Sequence, residues 1–211
     1  MSKNAVIFGD SYSTFEGYIP DGYAAYYYKD FGDTDVRCVS ETWWHQVLSD
    51  AQINLVRNDS WSGSTVCYTG WEGIDCSETS SFIFRLKKLI SENFFEKNDV
   101  DTVFFFGGTN DCWSDAPLGK LKCDAFEKED LYCVLPGAYY FLKTLREALP
   151  NAAIYCLENN ELKPELYEVY DLACKDFDIT KVSFEHIDKT CGHPTIQGMK
   201  DIKREVLKAL K

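Results

Sequence analysis

Apolar residues in this chain fall into short runs that end at polar residues or glycine. Five of them, Ala5–Phe8, Ile53–Arg57, Thr102–Phe106, Ala153–Leu157 and the weaker Val182–Ile187, have the form of parallel strands covered on both faces. Between them the apolar period lengthens to that of a helix. Ser40 can cap a helix through Leu48, and Ser81 to Phe95 carries apolar residues at helical spacing. Pro136–Leu149, Pro164–Phe177 and Thr195–Leu210 complete the set, with Pro164 suited to a first helical turn. Strands alternating with helices predict an α/β fold in which a parallel sheet lies between two helix layers. No linker, repeat or low-complexity tract interrupts residues 1–211, so one domain is expected.

Two connections are longer than such a fold requires. Tyr12–Val39 follows the first strand and Asp111–Leu135 follows the third. Both leave the carboxyl ends of strands, where open α/β sheets bind ligands, and loops of this length are usually functional or disordered. Their aromatic residues (Tyr12, Phe15, Tyr18, Tyr23, Tyr26, Tyr27, Tyr28, Phe31 and Trp113) argue against disorder. Both loops are expected to wall a cleft.

Composition narrows the partners. A net charge of -12 without any basic run argues against nucleic acid or an anionic membrane. No apolar run approaches the ~18 residues of a spanning helix. Met1–Asn4 leave no room for a secretion signal ahead of the first strand. The nine cysteines are odd in number and contain no Cys-x-x-Cys pair, which fits neither a disulfide framework nor a zinc site. Reduced thiols, a cytoplasmic location and a site without metal or cofactor are expected.

Four stretches carry candidate chemistry. Ser11 follows the strand run Val6-Ile7-Phe8 through Gly9-Asp10, a place where the chain must turn and can lift a hydroxyl above the sheet. Gly63 lies just past the second strand, in Asn58-Asp59-Ser60-Trp61-Ser62-Gly63, and could expose its N–H to a ligand. Asn110 ends Gly107-Gly108-Thr109-Asn110 after the third strand, where an amide can donate to a developing oxyanion. Each of these three could equally be an ordinary turn. His193 precedes the last helix in Gly192-His193-Pro194-Thr195, and histidine is the natural base for a serine because its pKa lies near the working pH. Of the other two histidines, His186 ranks second as base and His45 falls within a helix.

Together these residues resemble the SGNH hydrolases of the GDSL esterase/lipase family. The resemblance rests on Gly9-Asp10-Ser11, Gly63, Gly108-Thr109-Asn110-Asp111 and His193-Pro194, with Trp43 and Trp44 similar to the family's helix tryptophan. It implies a flavodoxin-like three-layer α/β/α sandwich around about five parallel strands. It also implies Ser11 as nucleophile, His193 as base, and Ser11 N–H, Gly63 N–H and the Asn110 amide as oxyanion donors. One position departs from the pattern: the family's aspartate stands three residues before the histidine, and here Thr190 is there while Asp188 lies five before. A small loop containing Gly192 would let Asp188 complete a triad. Otherwise a backbone carbonyl orients the imidazole in a Ser–His dyad, or Glu185 takes the role.

The function implied is a serine esterase that cleaves carboxylic esters through an acyl-enzyme. Short acyl groups, such as O-acetyl on a carbohydrate, suit the aromatic loops, with Tyr12 and Trp113 expected to touch substrate. An acylhydrolase on lipid or thioester substrates, and a non-catalytic ligand-binding module on the same fold, stay open as alternatives.

Overall fold

The structure, a computed structural model, describes residues 3–30 and 33–210; Met1, Ser2 and the loop residue Phe31 lie outside them. Five parallel strands, β1 (Asn4–Gly9), β2 (Asn54–Ser60), β3 (Thr102–Phe106), β4 (Ala153–Glu158) and β5 (Thr180–Ser183), form one sheet in the order β2-β1-β3-β4-β5. This is the doubly wound, flavodoxin-like order, with its switch point between β1 and β3.

Alternation along the strands builds two cores. Val6, Phe8, Val103, Phe105, Ile154 and Cys156 face one side. There they meet α2 (Phe82–Ser91), α5 (Val134–Ala148) and α6 (Pro164–Asp176). Ala5, Ile7, Phe104, Phe106, Tyr155 and Leu157 face the other, against α1 (Trp43–Ala51) and α7 (Ile196–Ala209). A strand buried on both faces has no polar side to show, which is why its sequence reads as a continuous apolar run. Among the described residues no helix is long and apolar enough to cross a membrane.

Element boundaries differ from the sequence expectation where polar groups are satisfied internally. β2 runs on through Asn58, Asp59 and Ser60, all buried. Asp59 is held there by Arg57 at 2.8 Å and by the fully buried Arg85 at 3.2 Å. α1 starts two residues later than a Ser40 cap would place it, because Val39–Glu41 form a 3₁₀ turn and the Thr42 hydroxyl caps the helix through His45 N. The helical stretch Ser81–Phe95 is broken at Asn93, whose φ of 50° is left-handed, into α2 and the short α3 (Phe94–Lys97). β5 stops at Ser183; Phe184 and Ile187 are buried beyond it in the α1/α7 core.

Register brings the loops together. Gly9, the last residue of β1, pairs with Ser60 of β2 and with Phe106 of β3. Three strands therefore end level, at the switch point. The residues that follow them, Ser11, Gly63 and Asn110, emerge side by side.

Candidate active site

Ser11 opens a 3₁₀ turn, Ser11–Ser13, whose N-cap is Asp10. One Asp10 carboxylate oxygen accepts Tyr12 N at 3.0 Å, while the other has no hydrogen-bond partner among the described residues. Burial without a counter-ion in contact pushes the Asp10 carboxyl up to about 7. The cap orients the turn so that Ser11 Oγ lies 3.0 Å from His193 Nε2.

His193 reaches that position on a hairpin that is not apparent in the hydrophobic pattern. β6 (Lys189–Thr190) and β7 (His193–Pro194) pair antiparallel, with Thr190 opposite His193. The turn between them is Cys191-Gly192, with φ of 49° and 76°. Two successive left-handed residues are what a type I′ hairpin turn needs, and Gly in the second position relieves one of them. The tight turn brings the Cys191 carbonyl to 3.0 Å from His193 Nδ1. With Nδ1–H donated there, Nε2 carries the lone pair that faces Ser11.

The same hairpin corrects the expectation for Asp188. Lys189 pairs with Pro194, so Asp188 falls opposite Thr195, at the end of the hairpin remote from its turn. Thr195 N donates to the Asp188 carbonyl at 3.0 Å, and the Asp188 carboxylate accepts from the Thr195 hydroxyl. The two residues that displace Asp188 in sequence are the turn itself, and they carry it away from the imidazole. Glu185 and His186 are exposed on the preceding loop, and His45 sits half-buried on α1. Asp188→Asn is accordingly expected to leave ester turnover within about threefold of wild type. A loss approaching the ~10⁴-fold of a broken triad, measured at saturating substrate, would contradict this placement.

Tyr12 also needs correction as a substrate contact. It is fully buried, edge-on to Phe106 and His193, and its hydroxyl donates to the Gly192 carbonyl at 2.6 Å. It holds the hairpin from below. Lys189 spans the other side of Tyr12, its Nζ 5.5 Å from the ring and bonded to Asn159 Oδ1, Asn160 Oδ1 and Glu161. Trp113 ends the short α4 (Thr109–Trp113), half-buried, 5.9 Å edge-on to His193. Only this beginning of the second long loop reaches the site. Its later aromatics turn away, Phe126 onto Tyr140 and Tyr132 onto Tyr68.

The candidate donors are held by buried polar groups. Gly63 has φ 79° in a turn closed by Ser64 N to Trp61 O at 3.2 Å, a conformation that favours glycine. Its N–H, like that of Ser11, makes no hydrogen bond to the described residues. Asn110 is buried, and its amide gives one proton to Ser64 O at 3.1 Å, leaving the second N–H to donate elsewhere. Asp111, next in the motif, accepts from Val66 N and Cys67 N at 2.8 and 3.1 Å, pinning the segment that follows Gly63. Arg85 adds Gly9 O at 3.3 Å and Ser64 Oγ at 3.1 Å, which ties the turn before Ser11 to the turn of Gly63. The Arg85 and Asp111 contacts had no signal in a residue-by-residue reading, and the backbone-carbonyl alternative could not be assigned to Cys191. The turn did have a signal, in Cys-Gly between Thr190 and His193.

Comparison with known proteins identifies the family. The family model for GDSL-like lipase/acylhydrolase matches residues 3–210. A structure from Bacteroides ovatus assigned to the GDSL-like lipases is 40% identical, with a TM-score of 0.91 over 100% of this chain and 98% of that one. A second, from Bacteroides uniformis, is 38% identical, with a TM-score of 0.90 over 99% and 95%. A more distant likeness, in fold alone, is to an acetyl xylan esterase from Butyrivibrio proteoclasticus, at 16% identity and a TM-score of 0.62 over 99% and 63%. No curated protein matches the chain. The chain belongs to the GDSL-like lipase/acylhydrolase family.

Proposed function

We propose that this protein is a serine esterase working through a Ser11–His193 dyad. The observation that carries the reading is the 3.0 Å contact between Ser11 Oγ and His193 Nε2, made while Nδ1 is committed to the Cys191 carbonyl. His193 takes the hydroxyl proton as Oγ attacks the ester carbonyl. Ser11 N–H, Gly63 N–H and the free N–H of the Asn110 amide hold the oxyanion. The imidazolium then protonates the departing alcohol, and water attacks the acyl-enzyme by the same route.

For the substrate, we propose short acyl esters, O-acetyl on a carbohydrate in particular. Ser11 is only 4% exposed, so the acyl group must be small enough to reach a nearly covered hydroxyl. Beside it lie Trp113, edge-on to His193, and the exposed Trp71, whose Nε1 is 3.9 Å from where a Cβ on Gly63 would lie. Indole rings at the rim suit the apolar face of a sugar. A serine-directed phosphonate, followed by a panel of acyl lengths on phenyl and sugar alcohols, tests both statements. Absence of labelling at Ser11 in folded protein removes the serine mechanism, and a preference for long-chain acyl groups removes the substrate reading.

The pH profile follows from the base. Burial holds the His193 imidazole below its ordinary value of 6.5, the nearby Lys189 charge adds to that, and the Cys191 carbonyl opposes it. A base must be neutral to act, and a lowered pKa keeps it neutral to lower pH. The acid limb of kcat/KM is therefore expected below pH 6.5, with a plateau through neutrality. A limb centred above pH ~7 would mean that another group controls the rate or that a carboxylate faces the ring.

A further inference from the structure

Without a carboxylate on Nδ1, the positive charge that appears on His193 during catalysis has to be met by something else. Three consecutive residues of the hairpin that carries His193, Gly192 to Pro194, are each met by a tyrosine. Tyr12 hydroxyl takes Gly192 O at 2.6 Å, and Tyr27 hydroxyl takes Pro194 O at 2.9 Å. Between them the Tyr26 ring lies flat on the His193 imidazole, with centroids 3.5 Å apart and planes 9° from parallel. Tyr26 is itself fixed: its N–H donates to Thr14 Oγ1 at 2.9 Å, and its ring meets Tyr27 edge-on at 5.0 Å.

We propose that Tyr26 is the positioning residue that substitutes for the missing carboxylate: its ring face fixes the plane of His193 and stabilises the imidazolium formed there. The inference rests on the Ser11–His193 reading of the site. An aromatic face is electron-rich and stabilises a cation seated over it, the more so as water is excluded; Tyr26 and His193 are both half-buried. The ring acts as a neutral π face, because burial pushes the Tyr26 phenol to about 12. The other groups around the imidazole do not supply a counter-charge. Ser11 and Tyr12 from the first turn, Trp113 from α4 and Cys191 from the hairpin are neutral, and Lys189 is itself a cation. Asp33 makes no hydrogen bond or ion pair with His193, whose ring nitrogens meet Cys191 O and Ser11 Oγ. The Cys191 carbonyl orients the proton on Nδ1, and the Tyr26 face meets the charge.

The test compares Tyr26→Phe, which keeps the ring, with Tyr26→Leu, which covers His193 without a π face. Two readouts are taken: steady-state rates on a short acyl ester, and NMR titration of His193, with His45 and His186 as internal references. Phe is expected to match wild type in both. Leu is expected to lose about 2- to 30-fold in kcat with little change in KM, and its His193 midpoint should fall by about 0.4 to 1.5 pH units. If the Leu variant does not fold, 3,4,5-trifluorophenylalanine at position 26 replaces it, since fluorination weakens the π face while keeping its shape, and the same direction is expected. A Leu or trifluoro variant whose His193 titrates where wild type does overturns the proposal, whatever its rate. So does a Phe variant that falls with Leu. The titration does not depend on turnover, so failure of the esterase reading, seen as full activity in Ser11→Ala, is a separate result.

Discussion

Ser11→Ala is expected to lower ester turnover by about 10⁴-fold or more while leaving the protein folded. Among the described residues the Ser11 hydroxyl is the sole nucleophilic atom within hydrogen-bonding distance of the imidazole, at 3.0 Å from His193 Nε2. Deleting it leaves the imidazole with nothing to deprotonate except water, while oxyanion donors and substrate contacts survive. Some rate above that in water should therefore remain. Little is lost structurally, because the Ser11 side chain makes no other hydrogen bond among the described residues, and the turn is held by Ser11 O to Thr14 N and by the Asp10 cap. Active-site titration with a chromogenic ester, alongside a thermal melt, gives the answer. A folded Ser11→Ala protein with wild-type burst and turnover would end the serine-esterase reading.

The next largest effect is expected at Asn110. Replacing an oxyanion donor costs about 10²- to 10³-fold in kcat where the donor acts on the transition state alone. Asn110 is buried at the start of α4, one amide proton bonded to Ser64 O and the other uncommitted. Asn110→Ala removes both, so part of its effect could come from loosening the Gly63 turn. Asn110→Asp separates the two: it keeps the volume but places a negative oxygen where a negative oxygen must form. It should be at least as slow as alanine, with KM moving far less than kcat. An Asn110→Asp enzyme of near-normal kcat would show that the amide points away from the reaction.

Much of this site was legible from local signals. Five apolar runs with helical segments between them predict the three layers, because strands covered on both faces must be apolar throughout. The boundaries missed were those at which polar residues are satisfied inside the protein. Asp59 belongs to a strand only because Arg57 and Arg85 fold back onto it, and no propensity anticipates that. Ser11, Gly63, Asn110 and His193 stood out as candidates because each sits where a strand ends or a helix begins, positions the hydrophobic pattern marks.

The sequence by itself determined the family, the sheet and the residue types available for chemistry. Only the tertiary structure decided how the His193 ring is oriented. Sequence distance suggested Asp188, since a small loop can return a carboxylate five residues away. Hairpin pairing instead fixes Asp188 opposite Thr195 and brings the Cys191 carbonyl to Nδ1. The role of Tyr26 was equally out of reach, being 167 positions from His193 yet stacked on its ring at 3.5 Å. Periodicity reports which face of an element is buried, an average property of many side chains. The partner of one imidazole is set by a two-residue turn and by a loop folded back from the other end of the chain. Such contacts have no period, so they become visible only once the chain has closed on itself.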